Sequence, residues 1–299
     1  MCGTCGCGKN DGPVRIYSLE EDEVVMTHDH GHNHNHEHHS HTHGHDHHHG
    51  HDHHHHHHGH DHHHGHDHHH HEVNALDKRV IEVQEDILSK NDLMASRNRG
   101  YFEAKNLLAL NLVSSPGSGK TSILERTLKD LGNEFNFGVI EGDQQTSQDA
   151  ERIAATNTPV IQINTGNACH LEADMINKSV KKLSMNDGGI LMIENVGNLV
   201  CPAMFDLGEN ARVVIWSVTE GEDKPIKYPN MFESSDLCLI SKADLLPHVP
   251  VELDKMKDYA RRIKPGIPFI TVSVTSGEGM DEWYQWLRDH MKEIQSGSV

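Results

Sequence analysis

From residue 107 onward the chain alternates between two hydrophobic patterns. Continuous apolar runs occupy residues 107–113, 137–140, 159–163, 190–193, 213–218, 237–240 and 269–274. Segments with apolar positions three and four apart lie between most of them, at 122–131, 146–156, 170–183, 251–263 and 280–294. A short apolar run without alternation is a strand buried on both faces, and the helical segments supply its two covering layers. The pattern therefore predicts an α/β fold, a mostly parallel sheet flanked by helices. Ahead of it, Leu76, Val80, Val83 and Ile87 form one stripe of a helix over residues 73–96, which ends near residues 98–100.

The pattern stops upstream of that helix. All but three of the 32 histidines lie between His28 and His71, mixed with Asp, Gly, Asn and Thr. A stretch with no apolar side chain cannot offset the entropy of ordering, so disorder is expected there. The chain divides into a Cys-bearing segment (1–27), a His-rich tract (28–72) and one globular domain with its N-terminal helix (73–299). The formal charge is −19 with histidine neutral, and no basic patch suits nucleic acid. At an ordinary histidine pKa of ~6.5, roughly a quarter of the tract carries a proton at pH 7. No run approaches the ~18 apolar residues of a membrane helix. The first residues lack the pattern of a secretory signal. The expectation is a soluble, cytoplasmic protein with its six cysteines mostly as thiols.

Residues 114–121 read Ser-Ser-Pro-Gly-Ser-Gly-Lys-Thr between a buried strand and a helix. Gly117, Ser118 and Gly119 allow backbone N–H groups to wrap a phosphate at the positive end of the helix that Ser122 opens. Lys120 would reach the β- and γ-phosphates and Thr121 would hold Mg²⁺. The general P-loop pattern has Gly where this chain has Ser114. Glu194-Asn195-Val196-Gly197 closes another buried strand, where nucleotide switches carry an acid-x-x-Gly γ-phosphate sensor. Glu194 replaces the usual Asp, which leaves Asp143 the stronger candidate for ordering Mg²⁺ or the attacking water. Ser241-Lys242-Ala243-Asp244 is similar to the guanine-reading Asn/Thr-Lys-x-Asp motif. A carboxylate at Asp244 accepts two N–H bonds from guanine and mismatches adenine. Ser273 and its neighbours would back the base. GTP is the expected nucleotide.

Metal ligands occur in three layers. Cys2, Cys5 and Cys7 can close around one soft or borderline ion, and the amino group of Cys2 would add a fourth ligand in a square-planar nickel site. A redox dithiol and an iron–sulfur fragment are the alternatives. The His tract suits reversible storage of Ni²⁺, Zn²⁺, Co²⁺ or Cu²⁺ rather than catalysis; a purification tag would be short and terminal. Cys169-His170 opens the helix after the third strand, and Cys201 lies four residues beyond Gly197. Two thiols and one imidazole under-ligate a metal, so a two-fold dimer could complete the set. The alternative is that Cys169 and Cys201 are buried apolar filler. Cys238 reads as filler, and His248 and His290 as surface residues.

Taken together, these motifs resemble the hydrogenase nickel-incorporation GTPases. The resemblance covers the whole chain and is most specific in the run from Glu194 to Pro202. It implies slow GTP hydrolysis, nucleotide-linked homodimerisation, and delivery of Ni²⁺ to the large-subunit precursor of [NiFe]-hydrogenase alongside a small zinc-containing nickel chaperone. It also implies that Cys2, Cys5 and Cys7 form a tight nickel site and Cys169, His170 and Cys201 a second metal site, which suits Zn²⁺ as well as Ni²⁺. The sister GTPase that serves urease would carry Cys-Pro-His where this chain has Cys201-Pro202-Ala203. A storage protein with a vestigial nucleotide domain is a second rival, which would bind many nickel ions but show no GTP turnover above background; a nucleotide-dependent kinase is a third, which would need an acceptor pocket that the sequence does not reveal.

Overall fold

The computed structural model of the 299-residue chain describes residues 15–18, 21–25, 75–144 and 148–297. Cys2, Cys5, Cys7 and the His tract lie outside the described residues. In chain order the elements are β1 (Arg15–Ser18), β2 (Glu21–Val25), α1 (Ala75–Ala104), β3 (Leu108–Ser114), α2 (Lys120–Leu131), β4 (Phe137–Asp143), α3 (Gln148–Ala154), β5 (Val160–Asn164), α4 (Ala173–Leu183), β6 (Ile190–Glu194), β7 (Ala211–Ser217), the short helices α5 (Lys224–Lys227) and α6 (Pro229–Glu233), β8 (Leu237–Ser241), α7 (Leu253–Ile263), β9 (Phe269–Thr271) and α8 (Met280–Ser296).

The strands form one sheet in the order β2-β1-β5-β4-β6-β3-β7-β8-β9. From β5 to β9 all neighbours are parallel, as the continuous apolar runs predicted. Every residue of β3 and of β7 is buried. On one face α2, α3 and α8 cover Leu110, Leu112, Val213 and Ile215, with Trp283 and Leu287 contributed by α8. The other face is covered in two parts: α1 and α4 over Ala109, Leu191 and Ile193, and α6 and α7 over Val214, Trp216 and Ile240.

The structure departs from the sequence pattern in four places. The hairpin β1–β2 extends the sheet antiparallel to β5, pairing Ile16 with Ile163. Strands this short carry too few residues for alternation to register, and their edge position depends on the partner. Helix α1 runs through Gly100 to Ala104, because burying Phe102 completely outweighs the ~1 kcal/mol a mid-helix glycine costs. Helix α4 starts at Ala173, so Cys169 and His170 lie in the loop before it and not on its first turn. The last strand stops at Thr271, which places Ser273 in a loop.

Helix α1 is fastened by buried asparagines. Asn91 Nδ2 donates to Asp206 O (2.7 Å), and Asn91 Oδ1 accepts from Ala173 N (2.9 Å). Asn98 Nδ2 donates to Ala173 O (2.7 Å) and Leu207 O (2.9 Å), and its Oδ1 accepts from Asn177 (2.8 Å). The loop carrying Leu207 approaches so closely that a Cβ on Gly208 (φ +85°) would lie 2.4 Å from Ala95 O. Gly208→Ala is therefore expected to destabilise the fold by at least ~1–2 kcal/mol from the left-handed backbone alone, with displacement of α1 adding to it. Thermal unfolding measures this, and an unchanged midpoint would show that the loop yields without cost.

Candidate functional site

The C-terminal ends of the parallel strands bring the chemistry together, as open α/β sheets do. Strand β3 ends at Ser114, and α2 begins at Lys120 after Gly119, whose φ of +95° no β-carbon tolerates readily. The loop between them wraps an open cleft of about 570 Å³ that Gly117, Ser118, Lys120, Thr121, Ser122, Asp143, Glu194 and Gly197 also line. Gly197 packs on Pro116, which fixes the sensor segment against the loop. The Ser118 hydroxyl is buried without a hydrogen-bond partner among the described residues.

Lys120 Nζ and Thr121 Oγ1 both donate to Glu194 Oε1, at 2.7 and 2.6 Å. One buried carboxylate oxygen thus collects the two side chains that a P-loop uses for phosphate and cation. Strand register sets Glu141 directly opposite Glu194. Glu141 is pushed up to about 9, first by burial and then by the Glu194 and Asp143 carboxylates, so it is a neutral acid at pH 7. Oε2 of Glu141 and Oε2 of Glu194 are both buried without hydrogen-bond partners among the described residues. Glu141 opens no motif that assigns it a role. Its signal was an acid near the end of a strand whose first six residues are all buried. Asp149 and Arg152 also line the cleft and were not singled out.

At the other end of the loop, a smaller cavity of about 260 Å³ is lined by Gly119, Ser122, Lys242, Asp244 and Val274, among others. Ser241 Oγ donates to Ser118 O at 2.6 Å, and Lys242 Nζ donates to Gly117 O at 2.7 Å from a left-handed backbone (φ +59°). Asp244 Oδ1 accepts from Ser273 Oγ at 2.6 Å. The residues expected to read a base are therefore hydrogen-bonded to the phosphate loop and to one another.

The third cluster sits beside the sensor segment. One ligand atom from each of Cys169, His170 and Cys201 falls within 4.8 Å of the others. The two sulfurs are 2.7 Å apart, and Cys169 Sγ is 3.8 Å from His170 Nδ1. Cys201, at 2% exposed, begins a 3-10 turn, and His170 stacks on Phe205 with centroids 3.9 Å apart. Burial pushes His170 down to about 4, so its imidazole is neutral and its lone pair available to a metal at pH 7. A buried pair of soft sulfur donors with a neutral imidazole suits nickel or zinc. Cys238 is wholly buried inside β8, and burial pushes its thiol up out of reach of metal chemistry. His248 is exposed, whereas His290 is partly buried in a stack on Trp286.

A phosphate loop at the carboxyl edge of a parallel sheet, with converging lysine, threonine and carboxylates, defines a P-loop nucleotide-binding protein. The family described as "CobW/HypB/UreG, nucleotide-binding domain" matches residues 108–271. The hydrogenase maturation factor HypB of Azotobacter vinelandii is 57% identical over 209 residues, 70% of this chain and 69% of that one. The Helicobacter pylori (strain J99) hydrogenase/urease maturation factor HypB is 40% identical over 222 residues, 73% of this chain and 91% of that one. The crystal structure of Helicobacter pylori HypB in complex with nickel superimposes with a TM-score of 0.64 at 39% identity, covering 68% of this chain and 96% of that one. The chain belongs to the HypB family of hydrogenase maturation factors. Among the described residues, no helix is long and apolar enough to cross a membrane.

Proposed function

We propose that the chain is a GTP-hydrolysing nickel metallochaperone that stores nickel and delivers it to the large-subunit precursor of [NiFe]-hydrogenase. The observation that carries this reading is one short segment with two contacts. Glu194 at its start holds Lys120 and Thr121, and Cys201 at its end lies against Cys169. An arriving nucleotide takes Lys120 and Thr121 away from Glu194, so whatever moves Glu194 moves the strand end that leads to Cys201. The unpartnered buried Glu194 oxygen beside Thr121 and Asp143 suits a cation site. There Thr121 would hold Mg²⁺, which would supply charge for phosphoryl transfer. Lys120 stabilises the phosphate oxygens, Asp143 orders either that ion or the attacking water, and Asp244 reads the guanine edge. Turnover is slow because release of cargo, not flux of GTP, is the task.

Nickel is the cargo. Residues 28–72 store it, Cys2, Cys5 and Cys7 hold it tightly, and Cys169, His170 and Cys201 hold it, or zinc, in the switch. Exposed Val200 and Met204 flank Cys201 and suit a second copy of the chain, which would complete the ligand set. A small zinc-containing nickel chaperone is the expected supplier or collaborator, and the cytoplasm the expected compartment. Cys201-Pro202-Ala203 favours hydrogenase over urease as client, although the Helicobacter pylori relative named for both makes urease the second client to test.

The decisive experiment uses the full chain with Cys2→Ala, Cys5→Ala and Cys7→Ala, so that sulfur-to-nickel absorption reports on the switch site alone. Ni²⁺ titrations with GDP and with a non-hydrolysable GTP analogue should give affinities several-fold apart, within the ~5–150-fold range of allosteric coupling. Cys201→Ala should abolish the absorption. Equal affinities with both nucleotides would sink the switch and leave GTP acting on partner docking instead.

A further inference from the structure

A buried polar chain runs beneath the sensor segment on the α1 side of the sheet. Asn195 Oδ1 accepts from Leu171 N at 3.2 Å, the residue after His170, and from Val196 N at 2.9 Å. Asn195 Nδ2 donates to Asn111 Oδ1 (3.2 Å), and Asn111 Nδ2 donates to Glu209 Oε1 (3.0 Å). Glu209 Oε1 pairs with Arg212 through Nε (3.0 Å) and Nη2 (2.8 Å). Arg212 then donates to Ala203 O (3.2 Å) and Phe205 O (2.9 Å). Ala203 closes the turn that Cys201 opens, and Phe205 is the ring on which His170 stacks. The chain thus starts at the Cys169-His170 loop and ends at the Cys201 turn. It meets the nucleotide site through the peptide bond between Asn195 and Glu194.

These groups sit where the sheet otherwise buries apolar side chains. Asn111 is 0% exposed in the middle of the buried strand β3, and the Glu209–Arg212 side chains are 6% and 7% exposed. A buried ion pair stabilises little compared with apolar side chains of similar volume, whereas a satisfied buried network fixes one geometry. We propose that Asn195, Asn111, Glu209 and Arg212 are positioning residues that tie the two metal-ligand loops into one unit and couple it to the state of Glu194. The inference rests on the reading of Cys169, His170 and Cys201 as a nucleotide-linked metal site. When Glu194 shifts, Asn195 shifts with it, and both halves of the ligand set respond together.

The test is the effect of metal on nucleotide affinity in the full chain. The readout is the ratio of the Kd for a non-hydrolysable GTP analogue without Ni²⁺ to that with saturating Ni²⁺. In the unmodified protein this ratio departs from one, because coupling between the two sites is reciprocal in binding. Cys201→Ala returns it to one, which locates the effect away from the His tract. Asn111→Leu, which touches neither nucleotide nor metal ligand, is expected to leave the metal-free Kd within about threefold and to bring the ratio to one. Asn195→Asp breaks the same link from the other side, keeps the acceptor for Leu171 N, and should lose the ratio as well. A merely structural role would lower the unfolding temperature and weaken both affinities together, leaving the ratio intact.

If Asn111→Leu and Asn195→Asp keep the unmodified ratio while Cys201→Ala loses it, the chain is not the coupler. The signal then runs through direct packing of Gly142 against Leu171, where a Cβ would lie 2.8 Å from Leu171 Cδ2. A ratio of one in the unmodified protein, or one that Cys201→Ala leaves unchanged, removes the nucleotide-linked site and this inference with it.

Discussion

Lys120→Ala should lower the kcat for GTP hydrolysis by about a thousandfold while leaving nickel capacity intact. The expectation follows from placement. Lys120 is the first residue of α2, its ammonium lies in the cleft, and it pairs with the buried Glu194 carboxylate at 2.7 Å. A cationic donor aimed at oxygens that gain charge in the transition state contributes on the order of 10²–10³ in rate, and up to 10⁵ for phosphoryl transfer. A second effect appears without nucleotide. Lys120 is 11% exposed and Glu194 1%, so removing the lysine leaves a buried carboxylate with the Thr121 hydroxyl as its remaining partner. Breaking such a pair costs about 3 kcal/mol, which should show as a lower unfolding temperature that GDP no longer restores. Steady-state hydrolysis and calorimetry measure the two effects separately. A drop in kcat below tenfold would place nucleotide chemistry elsewhere. Loss of nickel capacity together with turnover would mean that storage and switch are not separate layers.

Asp244→Asn should exchange guanine for xanthine. A carboxylate accepts both N–H groups that guanine presents, whereas a carboxamide offers one acceptor and one donor, which complements the carbonyl that xanthine carries in place of the amino group. Losing one charge-assisted bond and gaining one mismatch amounts to ~3–4 kcal/mol, or on the order of 10²–10³ in GTP affinity. The substitution keeps an oxygen for the Ser273 hydroxyl, which Asp244 holds at 2.6 Å, so the loop should persist. Displacement of a fluorescent nucleotide by GTP, XTP and ATP reads the result. If GTP and XTP weaken equally, Asp244 acts as a brace for Ser273 and the base is read by other groups.

The elements differed in how plainly the sequence announced them. Strands β3 to β8 each appeared as an apolar run because a strand buried on both faces has no polar position to spare. The motif beginning at Ser114 was legible because the glycines, the lysine and the threonine must be contiguous to wrap one phosphate. Cys201 drew attention through its distance from Gly197, and Cys169 through the adjacent His170. Glu141 drew none, because its partner Glu194 is met only through the β4–β6 register. Asn111, Glu209 and Arg212 were equally silent, since an isolated polar residue near a strand looks like a solvated edge until its neighbours are known. Phe205 became relevant only by stacking on His170.

By itself, then, the amino-acid order determined the layered parallel sheet, the phosphate loop and the identity of the candidate ligands. Each of these depends on residues close in sequence: the period of burial along one element, or a turn that one short segment must make. Tertiary structure alone decided that β6 enters between β4 and β3, and this single fact places Glu194 opposite Glu141 and within reach of Lys120 and Thr121. It also decided that the loop before α4 meets the turn at Cys201, so that two cysteines far apart in the chain become one pair of sulfurs. Burial then set their chemistry, leaving His170 neutral and Glu141 protonated at pH 7. Strand order and burial are collective properties of the packed core, and a local pattern carries no record of which distant carboxylate, thiol or ring will face it.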